Sequence, residues 1–264
     1  MTENTFYRDH WVEVDDQRLD AYESMFAWHP RMSPLLNNAD IDSGHSVLDF
    51  GCGPGGLAME LARRVGADGK VVGVDLNEQM IKRALVHADD EGVSSYVNFL
   101  HHSEDVLPFA DASFDRVVCK SVLEYVTSPK AMLSEFSRVT APGGRVHVVD
   151  SDWGMIVIEP LDDDEVAEVF AAAQMAYRTP HIGRRLFGLF ANAGLQDLQV
   201  QILSAADTTG VRAPIARNML SYAVDSGGLA PERAEALGQK LQSGIDTGRY
   251  LLVLPQFVVT GTVP

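Results

Sequence analysis

The sequence predicts an α/β protein built on a mostly parallel, doubly wound sheet. Three observations predict it. From Ser46 to Asp150, short Val-rich runs alternate with stretches of helical hydrophobic period. A glycine-rich turn, "GCGPGG" at residues 51–56, joins the first such run to the first such stretch. The chain has 264 residues, 46% of them hydrophobic, enough for one large core with an appendage.

In chain order, "DDQRLDAYESMFAWHP" carries Leu19, Tyr22, Met25 and Phe26 at helical spacing, and Pro30 ends it. "SVLDF" reads as a buried strand and "GLAMELARRVG" as a helix closed by Gly66. "GKVVGVD" is a second strand, and "NEQMIKRALVHADDEG" a helix capped by Asn77. "SYVNFLH" and "FDRVVCK" are strands, "SPKAMLSEFSRVT" a helix stopped by "APGG", and "GRVHVVD" a fifth strand. Beyond Trp153 the alternation loosens. "DDDEVAEVFAAAQMAYR" and "GRRLFGLFANAG" are helices, "LQDLQVQIL" a strand, and "APIARNMLSYAV" and "PERAEALGQKLQSG" helices. "RYLLVLPQFVVTGT" is a closing strand in which Pro255 marks an edge or a bulge.

The net charge of −16 repels phosphate backbones, and no Lys/Arg run offsets it, so a nucleic-acid partner is not expected. The two cysteines, Cys52 and Cys119, show no metal-ligand spacing, and no metal is expected. The first residues lack an apolar leader segment, and no run approaches the ~18 apolar residues of a membrane span, so a cytoplasmic location is expected. The expected partners are a small-molecule substrate and at most a second copy of the chain.

The glycine turn lies at the carboxyl end of the first strand, where open α/β sheets bind ligands. Gly51, Gly53, Gly55 and Gly56 remove side chains that would block close approach, and the following helix presents free N–H groups. Asp49 stands two positions before Gly51. Asp75 ends the second strand, where a carboxylate can accept from both ribose hydroxyls. "HSEDVLPF" follows the third, where an adenine edge would lie. The set fits an adenosine ligand. Gly51, Gly53 and Gly56 also satisfy the G-x-G-x-x-G/A spacing of nicotinamide dinucleotide sites, so that ligand stays open on these residues alone.

Four segments in order, "VLDFGCGPGG", "VVGVDLNEQM", "SEDVLPFADASFDRVVCKSVLEYV" and "EFSRVTAPGGRVHVVD", resemble the class I S-adenosylmethionine-dependent methyltransferases. The subgroup is that of menaquinone/ubiquinone C-methyltransferases and natural-product methyltransferases. The resemblance covers roughly Val47 to Asp150. It implies a Rossmann-like, seven-stranded, mostly parallel sheet with an antiparallel last strand. A helical N-terminal lid (1–45) would precede the methyltransferase domain (46–264), with helical insertions at about 154–195 and 212–247. It implies S-adenosyl-L-methionine as cofactor. Asp49 would orient its methionine amino end, lined by Gly51 and Gly53. Asp75 would bind the ribose, Leu76 and Met80 would flank the adenine, and Ser103 and Glu104 would meet its edge. Many members have Asp where Ser103 stands; a hydroxyl accepts the adenine amino proton without charge assistance. Lys120 would lie beside the cofactor, its backbone being the expected contact. "DAYESMF" resembles an Ala-Tyr-Asp-like family sequence whose tyrosine reaches the methionine end, which assigns that part to Tyr22, although Glu23 replaces the Asp.

For the acceptor side, "DSDWG" places Asp152 after the fifth strand as a general base and Trp153 as a pocket wall. Glu124 and Tyr125, after the fourth, compete for the catalytic part. His29 on the lid, and Arg184 as a grip for an acidic group, complete the substrate-binding set. Each has a plain alternative: packing aromatic, solvated loop, exposed helical face. The expected activity is methyl transfer to a small, partly apolar metabolite through an O, N or C acceptor. A methyltransferase-fold protein that binds the cofactor without transfer, pericyclase-like or regulatory, is the alternative, and a nicotinamide oxidoreductase a more remote one.

Overall fold

The Val-rich runs form the expected parallel strands. β1 (Ser46–Phe50), β2 (Lys70–Asp75), β3 (Val97–His101), β4 (Phe114–Lys120) and β5 (Thr140–Ser151) lie in the order β3-β2-β1-β4-β5. β9 (Gln256–Thr262) runs antiparallel to β5, and β7 (Gln196–Leu203) pairs antiparallel with β9 at the edge, completing seven strands. The structure, a computed structural model, describes residues 5–12 and 14–264; residues 1–4 and 13 of the expected lid lie outside the described residues.

Strand alternation sends Val47 and Leu48 to opposite faces, and both are buried. On one face α3 (Gly56–Val65) and α4 (Glu78–Asp90) pack over Val47, Val71 and Val118. On the other, α5 (Pro129–Val139) and α7 (Ile182–Asn192) pack over Leu48, Val117 and Val146. Helix ends follow the sequence signals. Asn77 Oδ1 accepts from the Met80 N–H at 2.9 Å. Asp162 caps α6 (Asp163–Ala173) in a reciprocal box with Glu165, which accounts for the three-Asp run.

The closing strand is two strands. Pro255 has no N–H to continue a ladder, and the run divides there. β8 (Leu251–Val253) pairs with β6 (Val157–Glu159) in a small ribbon, and β9 enters the main sheet. This ribbon, α6, α8 (Ala213–Asp225) and α9 (Pro231–Asp246) surround a separate apolar cluster containing Trp153, Tyr177 and Tyr222. Two short N-terminal helices, α1 (Phe6–Val12) and α2 (Asp16–Phe26), lie against the main body. Arg83 on α4 pairs with Asp20 at 2.7 Å and with Glu23 at 2.5 Å, tying α2 to α4.

Candidate functional site

The sheet order reverses between β1 and β4, and a pocket opens at the carboxyl ends of the strands there. Its floor and walls come from the loops after β1, β2, β3 and β4. Among them are Asp49, Gly51, Gly53, Asp75, Leu76, Met80, Ser103, Glu104, Lys120 and Tyr125. Its roof comes from the N-terminal segment: Arg8, Trp11, Phe26, Trp28 and Met32.

The glycines of the first loop divide by purpose. A Cβ on Gly56 would stand 2.6 Å from the Phe26 carbonyl and 3.0 Å from the Trp28 nitrogen, so this glycine admits the chain's own backbone. Gly51 and Gly55 likewise face Val122 and the Ala84–Phe99 pair. Gly53 differs. It has φ +52°, and its nearest neighbours, Met80 and Phe26, are 3.8 Å away, so its bare face belongs to the pocket. Of these four glycines, Gly53 alone leaves room for a Cβ, while at the other three the chain's own atoms stand within 3.0 Å of where one would lie.

Asp75 shapes the loop. Its carboxylate accepts from the Gly53 N–H and the Asn77 N–H, each at 2.8 Å. Burial pushes its carboxyl up, against these two backbone donors. A carboxylate has about four acceptor sites, so capacity remains on the pocket side. Asp49 is fully buried, and its Oδ2 has no hydrogen-bond partner. Burial raises its carboxyl to about 7, with Lys120 opposing and Asp75 reinforcing the rise.

Several sequence-derived assignments fall outside this pocket. Tyr22 is buried, but its hydroxyl meets the Tyr222 hydroxyl at 3.0 Å, in the cap formed by α8. The Trp11 ring covers it at 5.0 Å and takes the pocket position instead. Tyr22→Phe should therefore lower stability by about 1 kcal/mol and leave cofactor affinity unchanged; melting and calorimetry on one preparation check this. His29 caps the following 3-10 turn by accepting from the Arg31 N–H. Asp152 is fully buried beneath Arg184 and His181. Burial alone would raise its carboxyl, but hydrogen bonds from those two side chains hold it below its ordinary value. A base so paired has no lone pair turned to the pocket, and Arg184 is spent on it. Trp153 lies in the cap core, its indole donating to Glu124. Glu124 is buried behind the pocket wall. Burial and then the nearby Asp150 push its carboxyl well up, with hydrogen bonds from Trp153 and Tyr125 opposing. Of the expected catalytic residues only Tyr125 lines the pocket.

Sequence reasoning missed α1. Phe6, Tyr7, His10 and Trp11 follow the i, i+3, i+4 spacing that would have found it. The Trp11 carbonyl accepts from the Asn77 side chain at 2.8 Å, and Arg8 donates to the Ser103 carbonyl. Both contacts fasten α1 over the loops after β2 and β3. The Trp11 indole N–H is buried and unpartnered, beside Tyr125 at 5.0 Å.

Comparisons with known proteins agree with this arrangement. The family described as Methyltransferase domain matches residues 41–194. A sterol 24-C-methyltransferase of Gibberella zeae is 33% identical over 66% of this chain and 45% of its own. A ubiquinone/menaquinone biosynthesis C-methyltransferase of Escherichia fergusonii is 36% identical over 48% of this chain and 49% of its own. The chain thus spans about half the length of these curated relatives. The solved phosphoethanolamine N-methyltransferase 2 of Haemonchus contortus, in complex with S-adenosyl-L-methionine, shares the fold. It aligns with TM-score 0.65 and 19% identity over 98% of this chain and 60% of its own. With the sheet order, the glycine turn and more than half the chain matched, this protein belongs to the class I S-adenosylmethionine-dependent methyltransferases.

Proposed function

We propose that the protein transfers a methyl group from S-adenosylmethionine to a small, partly apolar acceptor. The observation that carries the acceptor class is the pocket rim: Trp11, Phe26, Trp28, Met32, Tyr125, Val126 and Met132 give it an aromatic and apolar lining. The charge of −16 adds support against a nucleic-acid acceptor. Two buried, unpaired cysteines accord with action in the cytoplasm. The N-terminal segment would serve as the lid, the contacts of Trp11 and Arg8 being its fastenings.

The pocket residues fit the cofactor. Asp49 offers a buried carboxylate oxygen without a partner, suited to an ammonium, and Gly53 leaves a bare backbone face. In this reading Asp75 takes the ribose, Leu76 and Met80 flank the adenine, and Ser103 and Glu104 meet its edge. When bound, S-adenosylmethionine supplies an electrophilic methyl group on a sulfonium that leaves readily. The chain's work is then alignment and exclusion of water. Tyr125 faces the acceptor space, and Glu124 behind it holds the tyrosine in place. Burial and then Glu124 hold the Tyr125 hydroxyl well above its ordinary value, so it stays a neutral phenol that orients an acceptor by hydrogen bonding and does not take its proton. The test is incubation with methyl-labelled cofactor and fractionated metabolites. Label in a small molecule is expected; label in RNA, or cofactor bound but never consumed, would overturn the reading.

A pH dependence follows. Below about 7 the Asp49 carboxyl holds a proton that an incoming ammonium must displace. Cofactor affinity should level off above that value and fall below it by up to about tenfold per pH unit. Calorimetry from about pH 5.5 to 7.5, in buffers of different ionisation enthalpy, measures the released proton. A flat profile would remove Asp49 from the amino end.

A further inference from the structure

Lys120 is the last residue of β4, and Asp49 precedes the last residue of β1. The two strands are neighbours, with Phe50 opposite Cys119. Both side chains therefore belong to the same end of the pocket, and both residues line it. Among the described residues Lys120 Nζ makes no ion pair or side-chain hydrogen bond. Its charged neighbours are Asp150, Asp49, Glu124 and Arg212.

The acidic neighbours are nearly all committed elsewhere. Asp150 accepts from the Leu123 and Ser151 N–H groups, each at 2.9 Å. Glu124 accepts from the Trp153 indole. Asp49 keeps an unpartnered oxygen, yet it forms no ion pair with Lys120. One pocket end thus holds a carboxylate oxygen without a hydrogen-bond partner and an ammonium without an ion pair, both from residues that line it. The ligand that complements both carries an ammonium and a carboxylate on adjacent atoms, as an α-amino acid does. A lone cation would leave Lys120 unmatched, and a lone anion would leave Asp49 unmatched.

We propose that the Lys120 ammonium binds the α-carboxylate of S-adenosylmethionine, so that its side chain, not its backbone, is the contact that selects the amino-acid end of the cofactor. This rests on the cofactor assignment above. Burial, partly offset by Asp150 and then Asp49, lowers the Lys120 ammonium from its ordinary value, and an incoming carboxylate would restore it. A hydrogen-bonded charge pair of this kind changes affinity by about ten- to hundredfold.

The test compares two ligands that differ only in this carboxylate: S-adenosylmethionine and its decarboxylated form. Calorimetry on Lys120→Met should show S-adenosylmethionine weakened by about ten- to hundredfold, with the decarboxylated ligand within about threefold of its parent value. Lys120→Arg should recover most of the loss. Lys120→Gln serves if the methionine variant melts early. Equal loss for both ligands would give Lys120 a merely structural part and overturn the proposal, as would no loss for either. A parent protein that binds neither ligand would instead overturn the cofactor assignment itself.

Discussion

Replacing Asp75 by alanine should weaken S-adenosylmethionine binding by one to two orders of magnitude. Hydrogen bonds to a charged group contribute roughly 1.5–3 kcal/mol, and in the proposed complex Asp75 takes the ribose. A second loss adds to the first. The carboxylate already holds the Gly53 and Asn77 N–H groups at 2.8 Å, so its removal also frees the loop on which the cofactor would lie. Asp75→Asn separates the two effects, because one amide oxygen can keep only part of the backbone pairing. Its affinity should fall between those of the parent and the alanine variant. Calorimetry with a melting curve for each variant checks this, and unchanged affinity in a folded Asp75→Ala protein would refute the ribose role.

Gly56→Val should separate the roof from the body. Its Cβ would stand 2.6 Å from the Phe26 carbonyl and 3.0 Å from the Trp28 nitrogen, and neither backbone atom can turn aside as a flexible side chain would. Overpacking of this kind costs about 1–3 kcal/mol. Here it is relieved by detaching the segment that carries Phe26 and Trp28, two residues of the pocket roof. The sheet should stay folded, cleavage before Ser46 should quicken, and cofactor affinity should fall by more than about tenfold. Limited proteolysis and calorimetry measure both. A variant with parental cleavage and affinity would show that the helix start yields instead.

The sheet was legible because its signals are local. Val71 to Val74 and Val117 to Cys119 are short apolar runs between turn residues, and burial on both faces is what such runs encode. The first cap was equally local, Asn77 lying three residues before the N–H it receives. The split at Pro255 was half legible: the missing N–H announced an interruption, but not that the two halves would join different sheets. Of the residues assigned to the cofactor, those at the ends of β1, β2, β3 and β4 line the pocket, since strand ends are brought together by topology alone. Tyr22, His29, Asp152 and Arg184 depended on partners the sequence does not announce. Tyr22 meets Tyr222, two hundred residues away, and Asp152 is claimed by two basic side chains of the α7 region. The glycine turn mixed both kinds of information. Its small residues marked close approach correctly, but whether the approaching atom belonged to a ligand or to Phe26 was a tertiary fact.

The placement of the tryptophans has an optical consequence. The chain has three, and two of them, Trp11 and Trp28, line the pocket, while Trp153 is buried in the cap against Glu124. Indole emission responds to nearby rings, charges and water, so the two roof chromophores report on what enters beneath them. The third reports on the packing of the cap. Intrinsic fluorescence can therefore follow ligand entry without a label, and Trp11→Phe and Trp28→Phe, made singly, resolve which part of the roof is quenched first. In a Trp11→Phe/Trp28→Phe double variant the remaining emission comes from Trp153 alone, and read during heating it follows the cap separately from the roof.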